Sequence, residues 1–213
     1  MLQYKKLPFD LDAIAESFGI LKVDSCEHLN DWLQSDFVLT QTELEIVNDI
    51  HEEIKNHGDY WNEEELKVQF IGTVFYVAKI KLKDKIRVYF ERPLSAIVEN
   101  YKLAVIADCI VATPHQFSNP KNPYFFLQEF KKGKGEKNDP EAQMLTAMLI
   151  AQHLNNDNQP IYGSFVVGSE WRFATLIDKN YCISRKYDAM IMADLLKIIY
   201  CLRQLKTYVL ARK

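Results

Sequence analysis

Apolar residues along this chain recur first at helical spacing, then at strand spacing, and then alternate between the two. Up to about residue 58 they fall three and four positions apart, as in CEHLNDWLQ and in residues 42–55, which predicts short helices. Thr40 followed by Glu43 has the pattern of a capping box, and His57-Gly58 supplies a stop. A second helix, starting near Trp61 or Asn62, carries Leu66, Phe70, Ile71, Val74, Phe75 and Ala78 on one face. The period then drops to two. Ile86, Val88 and Phe90 alternate in KDKIRVYFERP, with Pro93 as the expected end, and KLAVIADCIVATP is the nearly continuous apolar run of a strand covered on both faces.

A third strand, YFFLQEFK, follows the loop HQFSNPKNP and runs into KKGKGEKND. Asp139 as N-cap and Pro140 at the first helical position open the helix PEAQMLTAMLIAQHLNN. Strands are predicted in IYGSFVVG and EWRFATLID, and a closing helix over residues 187–210 carries Ile191, Leu195, Ile198, Ile199, Leu202 and Leu205. From residue 62 the order is helix, three strands, helix, two strands, helix. It predicts an α/β core over residues 61–213 with a mixed β-sheet flanked by helices, preceded by a helical N-terminal extension over residues 1–60.

Composition sets the outer limits. The chain has 213 residues, 48% hydrophobic and 26% charged, enough for one sizeable core. No apolar run approaches the roughly 20 residues of a membrane span, and the N-terminus lacks a signal-peptide pattern, so a cytoplasmic protein without a membrane partner is expected. The four cysteines and five histidines show no metal-ligand or disulfide spacing. The net charge of -3 hides an asymmetry: residues 1–75 carry 5 Lys/Arg against 16 Asp/Glu, the remainder 21 against 13. A basic binding face in the second part, and an acidic first part suited to a protein partner, are both compatible with that division.

Three Glu-x-Lys pairs occur, and their context separates them. Glu53/Lys55 and Glu65/Lys67 fall in helical segments, where a spacing of two points the side chains apart. Glu129 and Lys131 fall in the strand YFFLQEFK, where residues two apart share a face. Asp108 is an ionisable residue inside the apolar strand AVIADCIVA, a costly position unless it is paired or binds a cation. Two carboxylates on neighbouring strands make part of the oxygen shell that magnesium prefers, with the lysine placed to orient a water or stabilise a phosphate.

In this order, Asp108 on the second strand and Glu129-x-Lys131 on the third, with a helix before and after, the chain resembles the PD-(D/E)XK, or restriction-endonuclease-like, nuclease superfamily. The resemblance covers roughly residues 62–210 and implies an αβββαβ restriction-endonuclease-like core. It implies Asp108 and Glu129 as ligands of Mg2+, with Mn2+ as a substitute, Lys131 as the catalytic lysine, and Gln143 as the helix residue some branches place beside the site. An acid on the preceding helix commonly joins the metal, here Glu63, Glu64 or Glu65, the first two lying nearer the apolar face. Two departures stand out: Ala107 where the motif has proline, and Ala147 where some branches have an aromatic residue.

The function expected from these residues is a metal-dependent nuclease that hydrolyses phosphodiester bonds in DNA by attack of a metal-activated water. The alternative is a catalytically silent module of the same fold that binds DNA or protein as a regulatory subunit. Lys132, Lys134 and Lys137, in the glycine-containing loop after the Glu129 strand, are the candidate phosphate contacts. Lys121 is a weaker one, and Trp171 is read as a core anchor. No base-reading motif is present.

Overall fold

The computed structural model describes residues 4–5, 7–117, 119–131 and 139–212. Its helices are α1 (Leu11–Phe18), α2 (Glu27–Leu33), α3 (Gln41–His57), α4 (Glu63–Glu65), α5 (Gly72–Ala78), α6 (Pro140–Asn155) and α7 (Met192–Ala211). Its strands are β1 (Leu21–Val23), β2 (Arg87–Val98), β3 (Tyr101–Pro114), β4 (Pro120–Lys131), β5 (Ile161–Val167), β6 (Glu170–Ile177), β7 (Asn180–Ile183) and β8 (Tyr187–Asp188). They form one mixed sheet in the order β1-β7-β6-β5-β4-β3-β2, with β8 paired to β6. The expected α/β class, a mixed sheet flanked by helices, is what the chain forms.

Local chemistry explains where the helices begin. Thr40 Oγ1 accepts from the Glu43 N–H while the Glu43 carboxylate accepts from the Thr40 N–H, so the predicted capping box closes. Asn62 and Glu65 repeat the device at the start of α4. Asp139 caps α6 through the N–H groups of Glu141 and Ala142, with Pro140 in the first turn.

Between α4 and α5 the chain does not break. Leu66–Ile71 forms a π-helical turn, so residues 63–78 run as one helix with a local widening. Lys67 lies in that turn. The sheet separates two apolar layers. One joins Trp32, Ile54, Phe70 and Ile71 to Phe126, Phe173, Ile198 and Leu202; the other joins Ile14 and Phe18 to Leu103, Ile110, Met148 and Phe165. Trp171 is fully buried against Phe70 and Phe173.

Three features depart from the pattern reading. Pro93 does not end its strand: β2 continues to Val98, and because β2 is the outermost strand beside β3, a residue without an N–H is tolerated there. The closing helix starts at Met192 rather than near 187, since Tyr187 and Asp188 pair with Trp171 and Glu170. The N-terminal region is not purely helical. Residues Leu21–Val23 pair in parallel with Asn180–Cys182 of β7, a strand the apolar pattern also missed.

Candidate active site

The site is built where two strands part company. Antiparallel pairing of β3 with β4 ends at Cys109 and Gln128, whereas β4 stays paired with β5 as far as Lys131 and Val167. Asp108 and Glu129 are the next positions on the two diverging strands. The Asp108 Oδ2 accepts from the Phe130 N–H at 2.8 Å, filling the place of the missing backbone partner. The fork therefore holds two acids side by side in the interior, Asp108 at 7% and Glu129 at 1% exposure.

Burial dominates their electrostatics. It raises the Asp108 pKa; the Phe130 N–H and the Lys67 ammonium work against that, while Glu63 adds to it. Glu129 is pushed well above the usual carboxylate range, by burial first and then by the adjacent Asp108 carboxylate. Its Oε1 is buried and has no hydrogen-bond partner among the described residues. An orphaned carboxylate oxygen beside a second acid is unfavourable unless a proton or a cation joins it.

Opposite the fork stands the widened helix. Lys67 places its ammonium 2.9 Å from Glu63 Oε1, 2.5 Å from Glu91 Oε1, 3.6 Å from Asp108 Oδ1 and 3.8 Å from Glu64 Oε1. Its side chain is only 9% exposed, and the ammonium lies 5.9 Å from the centre of the Phe130 ring. Burial would lower its pKa, but Glu91, Glu63 and Asp108 more than reverse this and hold it charged. Glu63 reaches both lysines of the site, its Oε2 lying 3.7 Å from Lys131 Nζ. Carboxylate oxygens of Glu63, Glu91 and Asp108 all lie within 4.8 Å of one another, the only such group of potential metal ligands among the described residues.

The structure thus brings together Asp108, Glu129, Lys131 and Glu63. Glu64 is at the rim, its side chain 79% exposed, and Glu65 is turned back to cap the Asn62 N–H. Gln143 sits in the first turns of α6, which packs on β3, β4 and β5; its Oε1 is buried without a partner among the described residues, and no hydrogen bond joins it to Asp108 or Glu129. Lys132, Lys134 and Lys137 lie outside the described residues. Lys121 lies near the start of β4, at the end opposite Lys131, roughly 30 Å away at strand rise.

Two residues of the site were missed. Lys67 was set aside because its Glu-x-Lys partner, Glu65, points elsewhere; its spacing of four from Glu63 was the available signal. Glu91 could not be found by pattern. It interrupts β2 with φ of 52°, a left-handed conformation unusual for a side chain other than glycine, and this aims its carboxylate at Lys67. No protein-family model matches the chain, and no curated protein does.

Proposed function

We propose that this protein is a metal-dependent nuclease of the PD-(D/E)XK type, hydrolysing phosphodiester bonds in DNA. One observation carries the reading: Asp108 and Glu129 stand together at the β3–β4 fork, with Lys131 two residues further along the same strand. The donor set suits a hard divalent cation such as Mg2+ or Mn2+. Two adjacent buried carboxyls, one with an unpartnered oxygen, supply oxygen ligands, and a cation between them would offset their repulsion. Asp108 and Glu129 would hold it, Asp108 being shared with the neighbouring group formed by Glu63 and Glu91.

When bound, such a cation lowers the pKa of a coordinated water and offsets phosphoryl charge. The protein's own groups do the rest. Lys131, on the strand that carries Glu129, would neutralise charge on the scissile phosphate and orient the incoming water. Glu63 pairs with Lys131 from the helix side at 3.7 Å, a contact that would help to orient the lysine. The restriction-endonuclease-like core is part of the same proposal, supported by the strand order around the fork and by α6 packed across it.

The test is cleavage of single- and double-stranded DNA in Mg2+, Mn2+ or EDTA by the wild type, Glu129→Ala and Lys131→Ala. Metal-dependent cleavage that falls by at least about 100-fold in each variant is expected, the usual scale for losing a group that stabilises developing charge. Cleavage that persists in both variants removes the assignment.

A further inference from the structure

The Lys67 ammonium occupies the space between three carboxylates that would otherwise form a cation site. We propose that Lys67 is the resident cation of the Glu63–Glu91–Asp108 cluster and limits this protein to a single divalent ion, held on the Asp108–Glu129 side. The inference rests on the metal-dependent reading above and specifies its stoichiometry.

Three observations support it. Lys67 lies within 3.6 Å of an oxygen of each of Glu63, Glu91 and Asp108, so an ion bound by those oxygens would compete for the place the ammonium fills. Two-ion phosphodiesterase sites keep their metals roughly 3.5–4 Å apart, and Lys67 lies 3.6 Å from Asp108, the acid that both positions would share. The lysine is also held in place. Its stem emerges from the π-helical turn, its side chain is 9% exposed, and its head lies against the Phe130 ring. Finally, Glu129 is the acid of the fork that no ion pair joins to Lys67 among the described residues, and its buried Oε1 is the unpartnered oxygen. A divalent ion would therefore be held beside Glu129, since Lys67 already fills the outer cluster.

Glu91 fits this division of labour. Its strained backbone directs a carboxylate toward Lys67, and that contact is the shortest of the cluster at 2.5 Å.

The experiment is Mn2+ binding to the full chain, followed by calorimetry and by the loss of the free-ion electron paramagnetic resonance signal. It compares wild type, Lys67→Arg, Lys67→Met and Lys67→Gln, with the Mn2+-induced rise in melting temperature as a second readout. Wild type and Lys67→Arg are expected to bind about one ion per chain, and the two neutral variants about two, the count of a two-metal site. The neutral variants should also show the larger Mn2+-induced stabilisation, because their cluster loses its cation and regains one only from solution. Using both Met and Gln keeps the test open if one of them fails to fold.

Unchanged stoichiometry and affinity in both neutral variants overturn the inference while leaving the metal reading intact. Two ions in the wild type do the same. A wild type that binds none, beside neutral variants that bind one, also overturns it and favours a catalytically silent module whose lysine replaces the metal altogether. Absence of binding throughout removes the metal reading itself, and the inference with it.

Discussion

The Asp108 carboxylate accepts a hydrogen bond from the Phe130 N–H at 2.8 Å, standing in for the rung that β3 and β4 no longer make. One side chain therefore terminates a strand pairing and supplies a buried acid. The two roles separate by substitution. Asp108→Asn keeps an oxygen for Phe130 and removes a charge facing Glu129, so in EDTA it should be at least as stable as the wild type. Asp108→Ala leaves the Phe130 N–H without its partner and should fall below Asp108→Asn by about 1–3 kcal/mol in urea denaturation. Equal stabilities would show that the hydrogen bond does not hold the fork.

Far from the fork, Glu43 sets an acid limit on the fold. Burial pushes its pKa up, but Lys79 at 2.6 Å, the Thr40 N–H and Arg203 at 2.7 Å outweigh that and bring it from 4.5 to about 2. Between these values the unfolded chain binds more protons than the folded one, so this contribution is complete above about 4.5 and is lost as pH falls through about 2. The Lys79 side chain is 56% exposed. Solvent screening therefore keeps the effect on the order of 1 kcal/mol. Urea titrations across this window should show a decline in the wild type that is shallower in Glu43→Gln; parallel curves would count against it.

Glu91 allows backbone strain to be measured apart from charge. Its φ of 52° lies in the region that glycine enters freely. Glu91→Gly and Glu91→Ala both remove the carboxylate from Lys67, so their difference reports the backbone alone. Glycine should be the more stable of the two by about 1 kcal/mol, the cost of left-handed geometry for an ordinary side chain less glycine's greater freedom when unfolded. An alanine variant of equal or greater stability would mean that β2 rearranges at no cost.

What was legible in the chain was local. Thr40 with Glu43, and Asp139 with Pro140, announce helix starts because the atoms that satisfy each other lie within a single turn. Asp108, Glu129 and Lys131 stood out because a charge in an apolar strand demands a partner, and the fold does set Asp108 beside Glu129. Pro93 misled because its tolerance depends on β2 lying at the sheet edge, a property of the assembled sheet. Tyr187 and Asp188 extended the last helix on paper, yet in the fold they pair with β6 before α7 begins. Lys67 and Glu91 meet across 24 positions of sequence, one from a widened helical turn and one from a left-handed strand residue. No periodicity encodes that encounter.

Close approach of α6 to the sheet is the remaining support of the site, and Gly163 tests it. This residue lies in β5 beside Leu127 of β4, and a Cβ built there would come within 2.8 Å of Met148 Sδ and 3.0 Å of Met144 Sδ. The first distance is shorter than side chains accept and the second is tight, but the obstructing atoms belong to flexible methionines that can shift. Gly163→Ala should therefore cost about 1–3 kcal/mol, the range for overpacking a core, without abolishing the fold. The origin of the cost can be isolated by a double-mutant cycle with Met148→Ala. That substitution destabilises on its own by opening a cavity, and the new Cβ would partly fill the space it leaves. The two changes should thus cost less together than the sum of their separate effects, by about 1 kcal/mol or more in urea denaturation. Strict additivity would place the strain elsewhere, since a methyl group that does not press on Met148 gains nothing from its removal.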